Sequence, residues 1–185
     1  MLKLKNERII NLLSFCLLVL VVVANSFFSI KQFKVIEQFN KIQASFPLFT
    51  DSFIIVFLTS IQLIAGITVV IIETLFVTFI TNVMTNKKFK FRNFLTPIIL
   101  ANIFSILLNM SVISIARFDH LQDIQWLRWF PGSQILLAVF IYLYFSILDS
   151  ATSMSSKIKL SIIIFSVTYG LTLIVQLLMT FVPFN

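Results

Sequence analysis

The chain has 185 residues, of which 59% are hydrophobic and only 11% charged, and its formal net charge is +7. So little polar surface cannot coat a water-soluble globule, which sets aside soluble enzymes and soluble nucleic-acid-binding domains and makes the bilayer the expected solvent. With a mean hydropathy of +1.03, the useful unit is an apolar segment of about 20 residues, enough to cross roughly 30 Å of hydrocarbon.

The first such segment covers residues 9–30 and follows a short basic head with Lys3, Lys5 and Arg8. A basic head before an apolar run also describes a signal peptide. The run is as long as a full span, however, and Ala24-Asn25-Ser26 before two phenylalanines makes a poor cleavage site, so a retained first helix is expected. Cys16 stands inside it with no second cysteine to pair with, and is expected as a buried, inert thiol. Residues 31–46 then turn polar, but Val35, Ile36, Phe39 and Ile42 keep the i, i+3, i+4, i+7 spacing of an amphipathic helix. Such a helix would lie on the membrane surface or pack on the bundle as an ordinary connection. Pro47 closes it.

Between Asp51 and Lys87 the single charged side chain is Glu73. That stretch is too long for one upright span, so a span over 52–74 is expected to continue as helix beyond the hydrocarbon, with Leu75, Phe76, Phe79, Ile80 and Val83 keeping an apolar face. Glu73 then falls near the cytoplasmic interface, paired with a lysine of the 87–90 cluster; the competing reading is a functional intramembrane carboxylate such as a proton carrier. The basic turn itself, Lys87, Lys88, Lys90 and Arg92, alternates with Phe89, Phe91 and Phe94. Cations between two spans are expected to meet anionic lipid headgroups, at about 1 kcal/mol each, with the phenylalanine rings in the acyl boundary. Nucleic-acid binding, which also uses basic and aromatic residues together, is not expected in that setting.

The third span, 94–116, is uncharged but carries Pro97, Asn102 and Asn109. The two asparagines are seven apart and share a helical face, as interhelical hydrogen bonds or as the lining of a polar cavity, with Gln62, Glu73, Asn102 and Asn109 as the candidate set. After it come Arg117 to Pro131, where Trp126, Trp129 and Phe130 mark a membrane interface. Asp119, His120 and Asp123 stand close enough for metal or acid-base work, although a solvated loop accounts for them as well. The fourth span covers 132–148, a polar turn follows over 149–159, and the fifth span covers 160–182.

The expected fold is therefore all-α, one polytopic membrane helix bundle with about five transmembrane helices. Basic residues fall nine against five on alternating sides, which puts the N-terminus in the cytoplasm and the C-terminus outside by the positive-inside rule. Phosphate-binding, zinc-protease, redox and serine-hydrolase motifs (GxxxxGK[ST], GxGxxG, HExxH, CxxC, GxSxG) are all missing, so no catalytic residue, metal or cofactor is expected.

The stretch ETLFVTFITNVMTNKKFKFRNFLTPIILANIFSILLNM, followed after a polar loop by LLAVFIYLYFSILDSATSMSSKIKLSIIIFSVTYGLTLIVQLLM, resembles the membrane domain of the YIP1 family. The likeness covers roughly residues 50–182 and rests on segment lengths and polar punctuation. It implies a five-span bundle with a cytoplasmic N-terminus. Two departures stand out: the turn after the long helix is usually glycine-rich in the family and here reads NKKFKF, and the cytoplasmic extension through which eukaryotic members meet small GTPases is not seen. The Phe, Ile, Asn and Lys bias looks like an AT-rich Gram-positive bacterium, and some bacterial relatives accompany ABC exporters. The expected function is that of a noncatalytic accessory or interaction subunit; the alternatives are a small transporter or channel, and an intramembrane enzyme using His120.

Overall fold

A computed structural model describes residues 2–42, 50–85, 87–118, 121–148 and 153–181. It is 91% helix, with no strand among the described residues. Six α-helices follow in order, α1 (Leu2–Gln32), α2 (Val35–Ile42), α3 (Asp51–Thr85), α4 (Phe91–Ala116), α5 (Gly132–Leu148) and α6 (Met154–Phe181), with a short 3-10 helix over Leu121–Arg128 before α5. Five of the helical segments are long and apolar enough to cross a membrane.

Helix α4 is the axis of the bundle: α1, α3 and α5 all pack on it, and α6 closes against α5 and, more loosely, α3. Thr96 of α4 donates to Asn11 near the start of α1, while Gln32 Nε2 at the end of α1 donates to Phe118 O just past α4, at 2.9 Å. These two ties run α1 and α4 parallel, with α3 antiparallel between them and joined to α1 by Ser26 and Thr59, whose hydroxyls lie 2.9 Å apart. The core is mostly apolar, with Ser26, Thr74 and Thr81 as fully buried polar members. Leu18 and Val22 of α1, Val70 and Val77 of α3, Ile98, Ile99 and Ile103 of α4, Leu137 and Ile141 of α5 and Ile164 of α6 form one continuous cluster. Pro97 stands inside α4, where it cannot bond the carbonyl one turn back, in a stretch buried among neighbouring helices with Ile98 and Ile99, the setting in which membrane helices tolerate proline.

Two ends of the bundle differ in chemistry. At the first lie the starts of α4 and α6 and the end of α3. Here Phe89 packs against Phe94 and Phe145 at ring-centroid distances of 5.6 Å, so it points into the bundle and not to the expected acyl boundary. Asn82 fixes it there: its Nδ2 donates to Phe89 O at 3.1 Å and its Oδ1 accepts from Phe89 N at 2.6 Å. Lys87, Lys88 and Lys90 are exposed around it and Arg92 is half-buried. At the other end two non-glycine residues reverse the chain in the left-handed region, Lys34 (φ 49°) after α1 and Arg117 (φ 52°) after α4. Trp126, Trp129 and Phe130 are exposed at this end, and Tyr169 of α6 donates to Trp129 O at 3.1 Å.

Helix α5 has the bounds of the apolar segment expected there, while α1, α3, α4 and α6 each begin earlier than theirs. The apolar face past Glu73 does continue, so that α3 is a single helix of 35 residues, about 52 Å long. Helix α6 begins six residues before the expected 160 because Ser153 caps it, its Oγ accepting from Ser156 N at 3.3 Å. Of the surface helix expected over 31–46, residues 31–32 end α1 and 35–42 form the separate α2, with Phe33 buried between them and Phe39 exposed; residues 43–46 and Pro47 lie outside the described residues. Cys16 departs from expectation, being exposed on the outer side of α1: α1 is an edge helix, and only its Leu18 and Val22 side turns inward.

Candidate functional site

The lone acid of α3 meets a polar residue of α4. Asn102 Nδ2 donates to Glu73 Oε2 at 2.7 Å and also bonds the Ile98 carbonyl of its own helix at 3.0 Å. Glu73 precedes Thr85 by twelve residues, about 18 Å of helix, which is why a lysine of the 87–90 cluster is not its partner. Asn102 lies near the middle of the 26-residue α4, so the pair sits far from both ends of that helix.

Beside the carboxylate a cleft of about 140 Å³ opens between α3, α5 and α6, lined by Ile72, Glu73, Phe76, Gln134, Thr168, Leu171 and Thr172. Its far wall is a satisfied polar chain. Ser133 Oγ donates to Gln134 Oε1, Gln134 Nε2 donates to Thr172 Oγ1, and Thr172 Oγ1 donates to Thr168 O, each at 3.0 Å. Thr168 Oγ1 in turn donates to Ile164 O at 2.8 Å. Among the described residues no group bonds the second carboxylate oxygen, Oε1. The cleft thus offers one open acceptor on a carboxylate, faced by an amide and two hydroxyls, and suits a proton or a small hydrogen-bond donor better than an anion.

Of the four expected polar residues, Glu73 and Asn102 come together and the others do not join them. Gln62 lies about 16 Å up α3 from Glu73, its Oε1 buried without a hydrogen-bond partner. Asn109 is exposed on α4. Gln134, Thr168 and Thr172 were not expected. Thr168 and Thr172 are four apart and so share a face of α6, but threonines in membrane helices commonly bond their own backbone, which hides any further role. Asp119 and His120 lie outside the described residues, as does the side chain of Asp123. Among the described residues no three of His, Cys, Asp and Glu are placed to hold a metal.

A roomier groove of about 420 Å³ runs along the outer side of α5 and α6, lined by Ile135, Val139, Tyr142, Ile158, Ile162 and Phe165 among others. Its lining is almost wholly apolar and supplies no chemistry beyond contact with hydrocarbon. Compared with family models, with curated proteins and with solved structures, the chain shows no match.

Proposed function

We propose that this chain is a noncatalytic subunit of the bacterial cell (inner) membrane, a YIP1-type five-span bundle with a cytoplasmic N-terminus, which works by assembling with another membrane protein such as an ABC-type exporter. The observation that carries this reading is the continuous apolar cluster that joins the five long helices, α1, α3, α4, α5 and α6. Of the four polar residues expected to line a path only Glu73 and Asn102 meet, with Asn109 exposed. The order of elements supports the YIP1 comparison: a long α3, a short turn, a proline-bearing α4 and two closing helices. The excess of basic residues at the end holding the 87–92 turn supports the orientation. A tagged chain extracted in mild detergent is expected to copurify with a larger membrane protein in fixed stoichiometry; a chain that always runs without a stoichiometric companion would overturn the proposal.

A second reading, a small secondary transporter or channel, draws on the cleft beside Glu73. An intramembrane carboxylate with an open acceptor oxygen is a default candidate for ion or proton handling. In proteoliposomes that reading expects proton-coupled flux to fall about tenfold or more in Glu73→Gln, in line with the loss of an essential proton-transfer group. Flux unchanged by the substitution removes Glu73 from any such role.

A further inference from the structure

Of the five segments able to cross a membrane, the fourth is broken. Tyr169 Oη donates to Trp129 O at 3.1 Å and Gln134 Nε2 donates to Thr172 Oγ1 at 3.0 Å, which fixes the start of α5 at the level of Thr172 in α6. From there α6 runs on for nine residues, about 14 Å, to Phe181. Gln134 also shares a cleft with Glu73, and α3 extends 22 residues from Glu73, about 33 Å, to its start at Asp51. Helix α5 therefore begins well inside the length of the bundle. The chain covers the missing part as the 3-10 helix Leu121–Arg128 and leaves helix altogether over residues 129–131.

Backbone outside regular helix is tolerated at membrane depth only where protein buries it or water wets it, because hydrocarbon offers its N–H and C=O groups no partner. Protein does not bury this break. Trp126, Trp129 and Phe130 are 51%, 43% and 49% exposed, and Pro131 and Gly132 are half-buried. The N–H groups of Gly132, Ser133 and Gln134, which open α5 and so have no acceptor within it, meet none elsewhere among the described residues. Water is the partner that remains, and tryptophan is the residue that gathers where water meets a bilayer. Toward the basic turn, by contrast, the bundle is closed: Val77, Ile98, Ile141 and Ile164 have no exposed surface, and the rings of Phe89, Phe94 and Phe145 pack across that end. We propose that the water surface at the end away from the basic turn dips into the bundle as far as residues 129–131, and that this dip gives the Glu73 cleft water and protons from that side alone. Gln134 joins the two, as the third residue of α5 and a wall of the cleft.

The proposal rests on the multi-pass membrane reading and holds whether the chain serves a partner or carries a solute. Both tryptophans of the chain border the break, so the unaltered protein in liposomes reports on it. Their emission is expected to be quenched by aqueous iodide and little by lipids brominated along the acyl chain; the reverse overturns the proposal. The side is read by a charged, membrane-impermeant methanethiosulfonate applied to intact cells and to inverted vesicles. In a Cys16→Ser background, which removes the single cysteine, Gln134→Cys and Thr172→Cys are expected to react about tenfold or more faster than Ile64→Cys, since a thiol held in hydrocarbon stays protonated and inert. Ile64 is 65% exposed and lies nine residues from Glu73 toward Asp51, two and a half turns, on the opposite face of α3. Either cleft cysteine serves if the other variant does not fold. Both are expected to react only from the side that labels the exposed Asp51→Cys, and not from the side that labels the exposed Lys88→Cys. Reaction from both sides, or from neither, overturns the one-sided entry while leaving the protein integral. An Ile64→Cys as reactive as the other two would put that whole half of the bundle in water, and the membrane reading would fall together with the dip.

Discussion

Phe94→Ala is expected to destabilise the bundle by about 3 kcal/mol, the low end of the range for emptying a buried phenylalanine site. Phe94 is fully buried and touches the rings of Phe89, Tyr144 and Phe145 at centroid distances of 5.6, 5.7 and 5.7 Å. In a bilayer the transfer part of the cost shrinks, since lipid tails are as apolar as the core. The cavity part stays, because the lost dispersion contacts have no replacement. An unfolding titration from detergent into denaturing detergent measures it. The control is Phe104→Ala: Phe104 is 51% exposed and its loss is expected to cost less than about 1 kcal/mol, as for other positions away from the core. Equal midpoints for the two variants would mean that the aromatic cluster does not organise this end of the bundle.

The second large effect is expected at Asn102. Asn102→Leu removes the donor to Glu73 Oε2 and puts an apolar side chain in its place, at a cost of about 1.5–3 kcal/mol for a hydrogen bond to a charged group. Glu73→Gln keeps an oxygen that Asn102 can still reach, and is expected to cost less than about 1 kcal/mol. A double-mutant cycle over Glu73→Ala and Asn102→Ala separates the pair from its surroundings. Neutral interhelical hydrogen bonds in membranes average about 0.6 kcal/mol, so a coupling clearly above that marks a charge-assisted contact. A coupling near zero would show that the two side chains do not depend on each other.

What could be read from the chain, and what could not, follows from the kind of information each residue carries. Span existence was legible because apolar length is a property of composition, and the continuation of α3 was legible because its apolar face runs on through Val83. The start of α6 was not: Ser153 looks like any other serine of the polar turn until it accepts from Ser156 N. Glu73 and Asn102 were each singled out on separate grounds, a rare charge and a shared face with Asn109. Their meeting depends on the rotation and antiparallel register of α3 against α4, which spacing within one helix does not encode. The same holds for Asn109, expected on the face of Asn102 and found exposed, and for Cys16, where an apolar neighbourhood in sequence says nothing about which side of an edge helix a residue takes. Gln134, Thr168 and Thr172 become visible only once α5 and α6 are packed together.

The two hydrogen bonds between Asn82 and Phe89 bear on how the chain reverses after α3. A tight reversal usually relies on a backbone able to enter the left-handed region, and glycine supplies that freedom. Here a side-chain amide provides both donor and acceptor to the returning strand of chain, and none of residues 87–90 has a positive φ. Closure is delegated to a residue that stays within α3. Residues 87–90 therefore carry no left-handed backbone that would call for glycine, and Phe89, held at both its N–H and its carbonyl, is kept where its ring packs on Phe94 and Phe145.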